Sequence, residues 1–413
     1  MGFEPSARAQ ELITRVEAFL RSEIEPVEAE LHHAIRTAGD PWQPQPLIKD
    51  LQAKARDAGL WNLFLPPAEP GNEQYGEGLS NLDYAPIAEL TGRSFIAPYI
   101  FNCNAPDTGN MEVLLRYGND QQKKRWLEPL LDGTIRSAFC MTEPDVASSD
   151  ATNMQATAVV DGDDVVLNGR KWWSTGVGHP DCELLIFMGL TAPDAHRYER
   201  HTMVLVPRGT PGVKVERLLP AMSRYDEPHG HGEVSFTEVR VPAANILVGP
   251  GRAFEIAQGR LGPGRVHHCM RLVGLAEKAL ELALQRGTSR TAFGKPLVNL
   301  GGNRERIADA RIAINQARLL VLQTAHLLDT QGLVGALSEV SQIKVAVPRM
   351  AQDVIDMAIQ LHGGGGLSED FPLAAAWTSA RALRLADGPD EVHRGVIARI
   401  ELASYLAAAQ EAK

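Results

Sequence analysis

The sequence has few cysteines, and their arrangement excludes two kinds of site. Its 413 residues include four cysteines, Cys103, Cys140, Cys182 and Cys269, which form no CxxC pair. They also form no cluster with histidine at the spacing of metal ligands. This usage predicts reduced thiols in a cytoplasmic protein that has no metal centre.

The sequence also lacks a long hydrophobic run and an excess of basic residues. No stretch approaches the roughly 20 apolar residues that a transmembrane helix needs, and the first residues mix acids with bases, unlike a signal peptide. A formal net charge of -10 opposes nucleic-acid binding, because that affinity comes mainly from cations on phosphate. We therefore expect neither a membrane nor a nucleic acid as partner.

The hydrophobic period changes twice along the chain. Helical spacings of three and four extend from Ala7 to about Gly133, with a break between Pro66 and Gly78. Alternation of period two follows in ATAVV, VVLNG, ELLIFMGL, HTMVLVP, VKVERLL and EVSFTEVRV. Helical periodicity then returns over about 254–285, 303–330, 334–362 and 391–409.

These patterns predict an α+β protein with three domains. We place an N-terminal helical domain over 1–135, a middle β-domain over 136–250 and a C-terminal helical bundle over 251–413. A helical, then β, then helical order is uncommon among enzymes, but fold alone does not establish function. The prediction of function therefore depends on local motifs.

The segment FCMTEPDVASSD, at 139–150, resembles the flavin-binding motif of the acyl-CoA dehydrogenases. This resemblance implies the fold predicted above, with FAD between the β-domain and the helical parts. It implies a hydrogen bond from Thr142 to the isoalloxazine edge and a close approach of the Met141 backbone to the ring. Ser149 would serve the flavin pyrophosphate or the pantetheine chain, but one extra residue makes Ser148 a competing candidate for this substrate contact. Thr-Glu-Pro is also an ordinary turn sequence.

The segment NGRKWWSTG, at 168–176, resembles a second motif of the same family. The resemblance places Trp173 and Thr175 beside the flavin, where Trp173 offers a flat apolar face and Thr175 a hydrogen-bond donor near N5. The alternative is that Trp172 and Trp173 belong to the core of the sheet.

RTAFGKPL, at 290–297, resembles a segment whose arginine binds the flavin pyrophosphate of a neighbouring subunit. Arg290 suits that role because guanidinium pairs with phosphate through two hydrogen bonds. Phe293 would pack near the adenine of the flavin. If this contact between subunits carries over, the protein is a homodimer or homotetramer.

QLHGGGGLSEDFP, at 360–372, resembles the family's glycine-rich segment. Gln360 would reach the adenosine side of the flavin, and Gly363 and Gly364 would allow the backbone to approach a pyrophosphate. The alternative is a flexible turn.

Asp387, in the run LADGPDEVH, stands where most of the family has a catalytic glutamate. A carboxylate beside the bound thioester can remove the α proton. The alternative is a helix N-cap, a role that Asp390 would also suit. Arg265 matches a family arginine and, with Gly388, is expected to contact the substrate. Some relatives carry the base at the position of Gly264, which cannot act as one.

The resemblance as a whole implies a FAD-dependent acyl-CoA dehydrogenase that passes electrons to an electron-transfer flavoprotein. The LADGPDEVH run occurs in a subgroup whose larger members are fused to a phosphotransferase-like kinase and whose substrates relate to 4-hydroxyacyl-CoA. Elimination from a 4-hydroxy or 4-phosphooxy acyl-CoA without net redox change is therefore an alternative. Some relatives bind DNA through a basic C-terminal extension, and the sequence up to Lys413 contains none.

The stretch before GNDQQKK, which in the family lines the acyl tail, is polar in this sequence. Unpartnered buried polar groups cost free energy, so these side chains predict a substrate with a polar group beyond the β carbon. The alternative is that they face solvent or other helices. The residues are Asn102, Asn104, Asp107, Thr108 and Asn110.

Overall fold

The computed structural model describes residues 3–67, 72–76 and 78–411. The break predicted between Pro66 and Gly78 therefore lies partly outside the described residues. The expected α+β architecture, helical at both ends with a β-sheet between them, is confirmed. Within these ranges, none of the helices is both long and apolar enough to cross a lipid bilayer.

The first part of the chain is helical, as predicted. Its α-helices are α1 (Ala7–Phe19), α2 (Glu25–Thr37), α3 (Pro46–Asp57), α4 (Asn81–Thr91), α5 (Ala97–Ile100), α6 (Asp107–Tyr117), α7 (Asp120–Gln122) and α8 (Glu128–Leu131). The later helices are α9 (Ala253–Ser289), α10 (Asn303–Gly335), α11 (Leu337–His362), α12 (Gly364–Leu367), α13 (Leu373–Ala382) and α14 (Asp390–Glu411).

The six strands expected from alternation are all present. The sheet contains β1 (Arg136–Cys140), β2 (Thr157–Asp161), β3 (Asp164–Thr175), β4 (Cys182–Leu190), β5 (His201–Pro207), β6 (Val213–Leu219) and β7 (His231–Pro242). A separate hairpin contains β8 (Thr291–Ala292) and β9 (Lys295–Pro296).

The described chain divides into two compact units that do not follow the predicted domains. One unit, the helical unit, comprises 1–21, 79–98 and 262–413, and the other, the sheet unit, comprises 22–78 and 99–261. Helices α1 and α4, which we assigned to the N-terminal domain, thus belong to the unit of the C-terminal helices. The predicted division into three domains stays a prediction.

The sheet unit is built on a mixed sheet of seven strands. Strand β4 pairs in parallel with β1 and antiparallel with β5, while β2, β3, β7 and β6 follow one another in antiparallel pairs. Apolar side chains of alternate residues, such as Val165 and Leu167 on β3, form its buried core. Strands β4 and β5 are buried along nearly their whole length, whereas burial alternates along the second half of β7.

In the helical unit, α4 and α9 cross at glycines. A Cβ atom at Gly274 would lie 1.9 Å from the Glu89 carbonyl oxygen, and one at Gly92 would lie 2.1 Å from that of Arg271. The two helix backbones can therefore touch only because neither position carries a side chain. This contact joins α4 to the middle of α9, and both segments belong to the helical unit.

A buried ion pair ties the loop after β1 to the sheet. The ammonium of Lys171, which is fully buried, donates to Glu143 Oε1 at 2.7 Å and to the carbonyl oxygens of Met141 and Met188 at 2.9 and 2.7 Å. Burial lowers the pKa of Lys171, and the neighbouring Glu143 carboxylate opposes that shift. Glu143 in turn accepts from the backbone N–H groups of Gln155 and Ala156.

We predict that Lys171→Met destabilises the sheet unit, because it leaves a buried carboxylate and two carbonyl groups without their donor. Removing one partner of a buried ion pair costs about 3–5 kcal/mol. The urea midpoint of the purified protein measures the loss. As a control, Lys214→Met removes a surface pair with Glu216, for which the expected change is about 0–1 kcal/mol. Equal midpoints for the two variants would contradict the prediction.

Candidate functional site

The first motif forms the loop that leaves β1. Within it, the Ser148 hydroxyl accepts from the Glu143 N–H at 2.9 Å and lies 3.2 Å from the Glu143 carbonyl oxygen. Ser149 is exposed. Because Ser148 closes the loop on itself, Ser149 is the better placed of the two hydroxyls to meet a ligand.

The second motif adjoins the first one. The backbone N–H of Trp172 donates to the Thr142 carbonyl oxygen at 2.9 Å. The pairing of β3 with β7 is irregular between Lys171 and Ser174, where β3 forms a bulge. In this bulge Trp173 adopts a φ of 51°, which is rare for a bulky residue. Its side chain is 41% exposed, so the interpretation of Trp173 as a sheet-core residue is wrong.

Thr175 lies next to the same bulge. Its hydroxyl is 2.9 Å from His231 Nδ1, and the His231 ring centroid lies 5.5 Å from that of Trp173. The first two motifs thus present one surface on the sheet unit, with an exposed indole, a threonine hydroxyl and the Thr142 loop. An apolar ring face with polar groups at its edge fits a flat heteroaromatic ligand such as isoalloxazine.

The third motif is a tight hairpin in the helical unit. Arg290 is exposed and directly precedes β8. Phe293, in the turn between β8 and β9, has a φ of 50° and is 96% exposed. An aromatic side chain held in an unfavourable conformation and presented to solvent is typical of a binding residue.

The glycine run of the fourth motif ends α11. Gly363 has a φ of 62°, and a Cβ atom at Gly363 or Gly364 would meet nothing within 4 Å. Gln360 is also exposed. The open space beside these two glycines can admit a phosphate group, so their positions fit the predicted cofactor contact.

The loop carrying Asp387 is held by buried cationic and imidazole groups. Lys344 Nζ donates to the carbonyl oxygens of Leu383 and Ala386 at 2.5 and 2.6 Å. The Asp387 carbonyl oxygen accepts from Arg265 Nε and Nη2 at 3.3 and 3.2 Å, and His393 Nε2 lies 3.1 Å from it. The backbone at Asp387 is therefore fixed by donors from three helices, α9, α11 and α14.

Burial governs the protonation of these groups. It lowers the pKa of Lys344 and of Arg265, and the negative charge of Asp387 opposes both shifts. Burial, with Arg265 and Lys344 nearby, lowers the pKa of His393 to about 4. His393 is thus neutral at neutral pH and must carry its proton on Nε2 to donate to the Asp387 carbonyl oxygen.

Asp387 itself has a φ of 55°, a conformation that aspartate tolerates better than most residues. Its side chain is 20% exposed, and Oδ2 lies 3.6 Å from Nε2 of His268. The carboxylate is therefore close to a partner on α9 and still accessible.

The helix-cap interpretation of Asp387 is wrong. Helix α14 begins at Asp390, and the N–H groups of Val392 and His393 donate to the Pro389 carbonyl oxygen. Asp390 is not the cap either, because its Oδ2 accepts from Nε and Nη2 of Arg384 at 2.9 and 2.8 Å.

Gly388 lies on this loop, and Arg265 contacts it from α9. The Arg265 guanidinium is buried against the Asp387 backbone, so its expected contact with substrate stays a prediction. Gly388 has a φ of 99°, and a Cβ atom there would lie 2.9 Å from His393 Nε2. At Gly264, where some relatives carry the base, a Cβ atom would meet open space.

The expectation that the polar stretch before GNDQQKK lacks partners is wrong for three of its five side chains. All five side chains are buried. Arg136 Nη1 donates to Asn102 Oδ1 at 2.5 Å, and the Ser137 N–H and hydroxyl donate to Asp107 Oδ1 at 2.9 and 2.6 Å. Asn110 donates to the Ser137 hydroxyl at 2.9 Å. Strand β1 thus satisfies these three side chains, whereas Asn104 Oδ1 is buried without a hydrogen-bond partner among the described residues.

Three residues of the Asp387 site were not anticipated. His268 follows Arg265 by three residues and so shares its helix face, a spacing that was visible in the sequence. His393 lies within the LADGPDEVH run and could have been noticed there. Nothing in the sequence distinguishes Lys344 from the exposed lysines, since its importance comes from burial.

Comparison with known proteins assigns the family. The models for the N-terminal, middle and C-terminal domains of acyl-CoA dehydrogenase match residues 6–134, 138–239 and 251–402. "Probable acyl-CoA dehydrogenase FadE2" from Mycobacterium tuberculosis is 51% identical, and the match covers 97% of each chain. The chain therefore belongs to the acyl-CoA dehydrogenase family, and it is an enzyme of that family.

Solved structures agree in fold. A homologue from Mycobacterium abscessus is 70% identical, with a TM-score of 0.94 over 97% of this chain and 100% of that one. Butyryl-CoA dehydrogenase from Megasphaera elsdenii is 26% identical, with a TM-score of 0.81 over the same shares.

Longer relatives match only in part. "Acyl-CoA dehydrogenase family member 10" from Mus musculus is 53% identical over 97% of this chain, but the match spans 37% of that protein. The chain likewise spans 51% of "Acyl-CoA dehydrogenase family member 11" from Gallus gallus, to which it is 52% identical. Assignment to the subgroup fused to a kinase stays a prediction.

We predict that Gly388→Ala destabilises the Asp387 loop, because alanine is strained at this φ and its methyl group would displace His393. Such backbone strain costs about 1–3 kcal/mol. Gly395→Ala is a matched control on exposed helix α14, where a Cβ atom meets nothing and alanine should stabilise by about 0.5–1 kcal/mol. Thermal melting measures both variants. If Gly388→Ala melts at or above the wild-type temperature, the strain is absent.

Proposed function

We propose that this enzyme catalyses α,β-desaturation of an acyl-CoA thioester, with Asp387 as the base. The single observation behind the proposal is the Asp387 loop, where buried donors hold the backbone while the carboxylate stays accessible. A base must be placed accurately before it can act, because a displacement of about 1 Å can cost on the order of 10²-fold in rate.

Asp387 would accept the proton from the carbon next to the thioester carbonyl. Its side chain is one methylene shorter than the glutamate of most relatives, so it reaches less far, by roughly 1.5 Å. The fixed backbone compensates in part, since the position of the carboxylate then depends only on its own two side-chain torsions.

FAD is the cofactor that the site residues fit. When bound, it supplies the acceptor for the hydride that leaves the β carbon. Met141, Thr142, Trp173 and Thr175 offer a surface for the isoalloxazine, as described above. Ser149, Gln360, Gly363 and Gly364 would serve its polar chain, and their exposure and open space support this role.

The exposed hairpin supports a shared cofactor site. Phe293 is nearly fully exposed, and a buried position in a homodimer or homotetramer would remove that unfavourable contact with water. Arg290 would then pair with the flavin pyrophosphate of the neighbouring subunit. We further propose an electron-transfer flavoprotein as the electron acceptor, on the family resemblance alone.

The polar stretch before GNDQQKK gives the 4-hydroxy or 4-phosphooxy alternative less support than its composition suggests. Arg136 and Ser137 satisfy Asn102, Asp107 and Asn110, so these three side chains need no polar substrate. That alternative now depends on the LADGPDEVH resemblance and on the unpartnered Asn104 Oδ1.

We expect Asp387→Asn to abolish the bleaching of flavin absorbance on anaerobic addition of butyryl-, octanoyl- or palmitoyl-CoA. Only the proton acceptor is lost, so FAD content and acyl-CoA binding should persist while kcat falls by about 10²- to 10⁴-fold. Stopped-flow absorbance and an acyl-CoA binding titration separate the two effects.

Asp387→Glu is the matched control, because it retains a carboxylate at the same backbone position. It should keep measurable turnover with the same acyl-CoA panel. Near-normal turnover by Asp387→Asn would show that another group is the base, and a wild-type protein that cannot be loaded with FAD would refute the proposed function itself.

We expect Arg290→Ala to weaken FAD retention and the oligomer together. A charge-assisted hydrogen bond contributes about 1.5–3 kcal/mol, which corresponds to roughly 10- to 100-fold in Kd. Arg15→Ala, which removes an exposed pair with Glu11 on α1, should change neither property. FAD loss on dilution and sedimentation velocity measure the two effects, and unchanged values for Arg290→Ala would exclude the shared site.

A further inference from the structure

His268 lies on the same face of α9 as Arg265 and faces the side chain of Asp387. Its Nε2 is 3.6 Å from Asp387 Oδ2, and both side chains are about one-fifth exposed, at 22% and 20%. Arg265 holds the backbone of Asp387. His268 is thus placed to contact the Asp387 carboxylate, while Arg265, on the same helix face, holds the main chain.

The orientation of the His268 proton follows from Arg271. Nη2 of Arg271 lies 3.2 Å from His268 Nδ1, and arginine can only donate hydrogen bonds. Nδ1 must therefore be the acceptor. In the neutral ring the proton is then on Nε2, the nitrogen that faces Asp387. The positive charge of Arg271 also disfavours a second proton on Nδ1.

We propose that His268 is a positioning residue for the base: its Nε2–H donates to Oδ2 of Asp387 in the acyl-CoA complex and so orients the carboxylate that takes the α proton. This inference rests on the proposed function. No proton leaves His268, since the α proton passes from the substrate carbon to the Asp387 carboxylate.

The separation of 3.6 Å is longer than a normal hydrogen bond, which spans about 2.7–3.2 Å. Hydrogen bonds at a catalytic group commonly tighten only when substrate binds. Lys344, Arg265 and His393 fix the backbone of the loop, so closing the gap requires only rotation of the two side chains. A short base needs such a partner, because a small rotation would otherwise move its oxygen away from the α carbon.

The test compares His268→Met with His268→Gln in the FAD-loaded enzyme. The two replacements have nearly the same length and shape, but only glutamine can donate to the carboxylate. The first readout is exchange of α protons with D2O in the 3-thia analogue of whichever acyl-CoA, butyryl, octanoyl or palmitoyl, the wild type oxidises fastest. With sulfur at position 3, this analogue can lose its α proton but cannot be desaturated.

We expect His268→Met to slow α-proton exchange and kcat together, by about 10- to 100-fold, with KM unchanged. His268→Gln should recover most of both rates. His267→Met controls for disturbance of α9, because His267 is buried against Tyr84; it is expected to lower the melting temperature while leaving exchange near the wild-type rate.

Two results would overturn the inference. Exchange by His268→Met at the wild-type rate would show that Asp387 needs no partner, and equally slow exchange by folded Met and Gln variants would show that donation is not the cause. Should His268→Met not fold, the Gln variant still decides, since it must exchange near the wild-type rate. A wild-type enzyme that neither exchanges α protons nor bleaches would instead refute the proposed function.

Discussion

Donation from a buried lysine to backbone carbonyl groups organises a candidate site loop in each unit. In the sheet unit, Lys171 binds the carbonyl oxygens of Met141 and Met188. In the helical unit, Lys344 binds those of Leu383 and Ala386. A loop in the interior must satisfy its carbonyl groups, and an ammonium with three donors satisfies several of them from one point. Both loops are therefore rigid without being part of a helix or strand.

Such rigidity has a direct bearing on Asp387, the proposed base. Asp387 occupies a left-handed conformation that aspartate adopts at lower cost than a longer residue does. The shorter side chain has fewer torsions to fix, but it also has less reach. Under the proposed function, the backbone donors and the neighbouring imidazole would supply the precision that a longer side chain obtains from its reach.

Much of the fold could be predicted because helices and strands bury apolar residues in different patterns. The long helices α9, α10, α11 and α14 follow from spacings of three and four, and strands β2 to β7 follow from alternation or from short apolar runs rich in β-branched residues. Helix α13 and the β8–β9 hairpin were missed, since both are short and the AAA run within α13 shows no apolar alternation. The grouping of α1 and α4 with the C-terminal helices could not be predicted, because it depends on contacts between residues far apart in sequence, such as Gly92 with Arg271.

The candidate site also has residues that the sequence predicts and contacts that it does not. Asp387, Arg265 and Gly388 were found as motif residues, and the structure brings them together, with Arg265 on α9 donating to the loop that carries the other two. The polar stretch before GNDQQKK was misjudged in part, because the partners of its side chains cannot be identified from the sequence. Whether a buried asparagine or aspartate is costly depends on its partner, and the partners Arg136 and Ser137 lie on the following strand. Residue type shows that a buried side chain needs a hydrogen-bond partner, but it does not show whether the protein supplies one. Polar residues therefore predict a ligand only after the protein's own donors have been located.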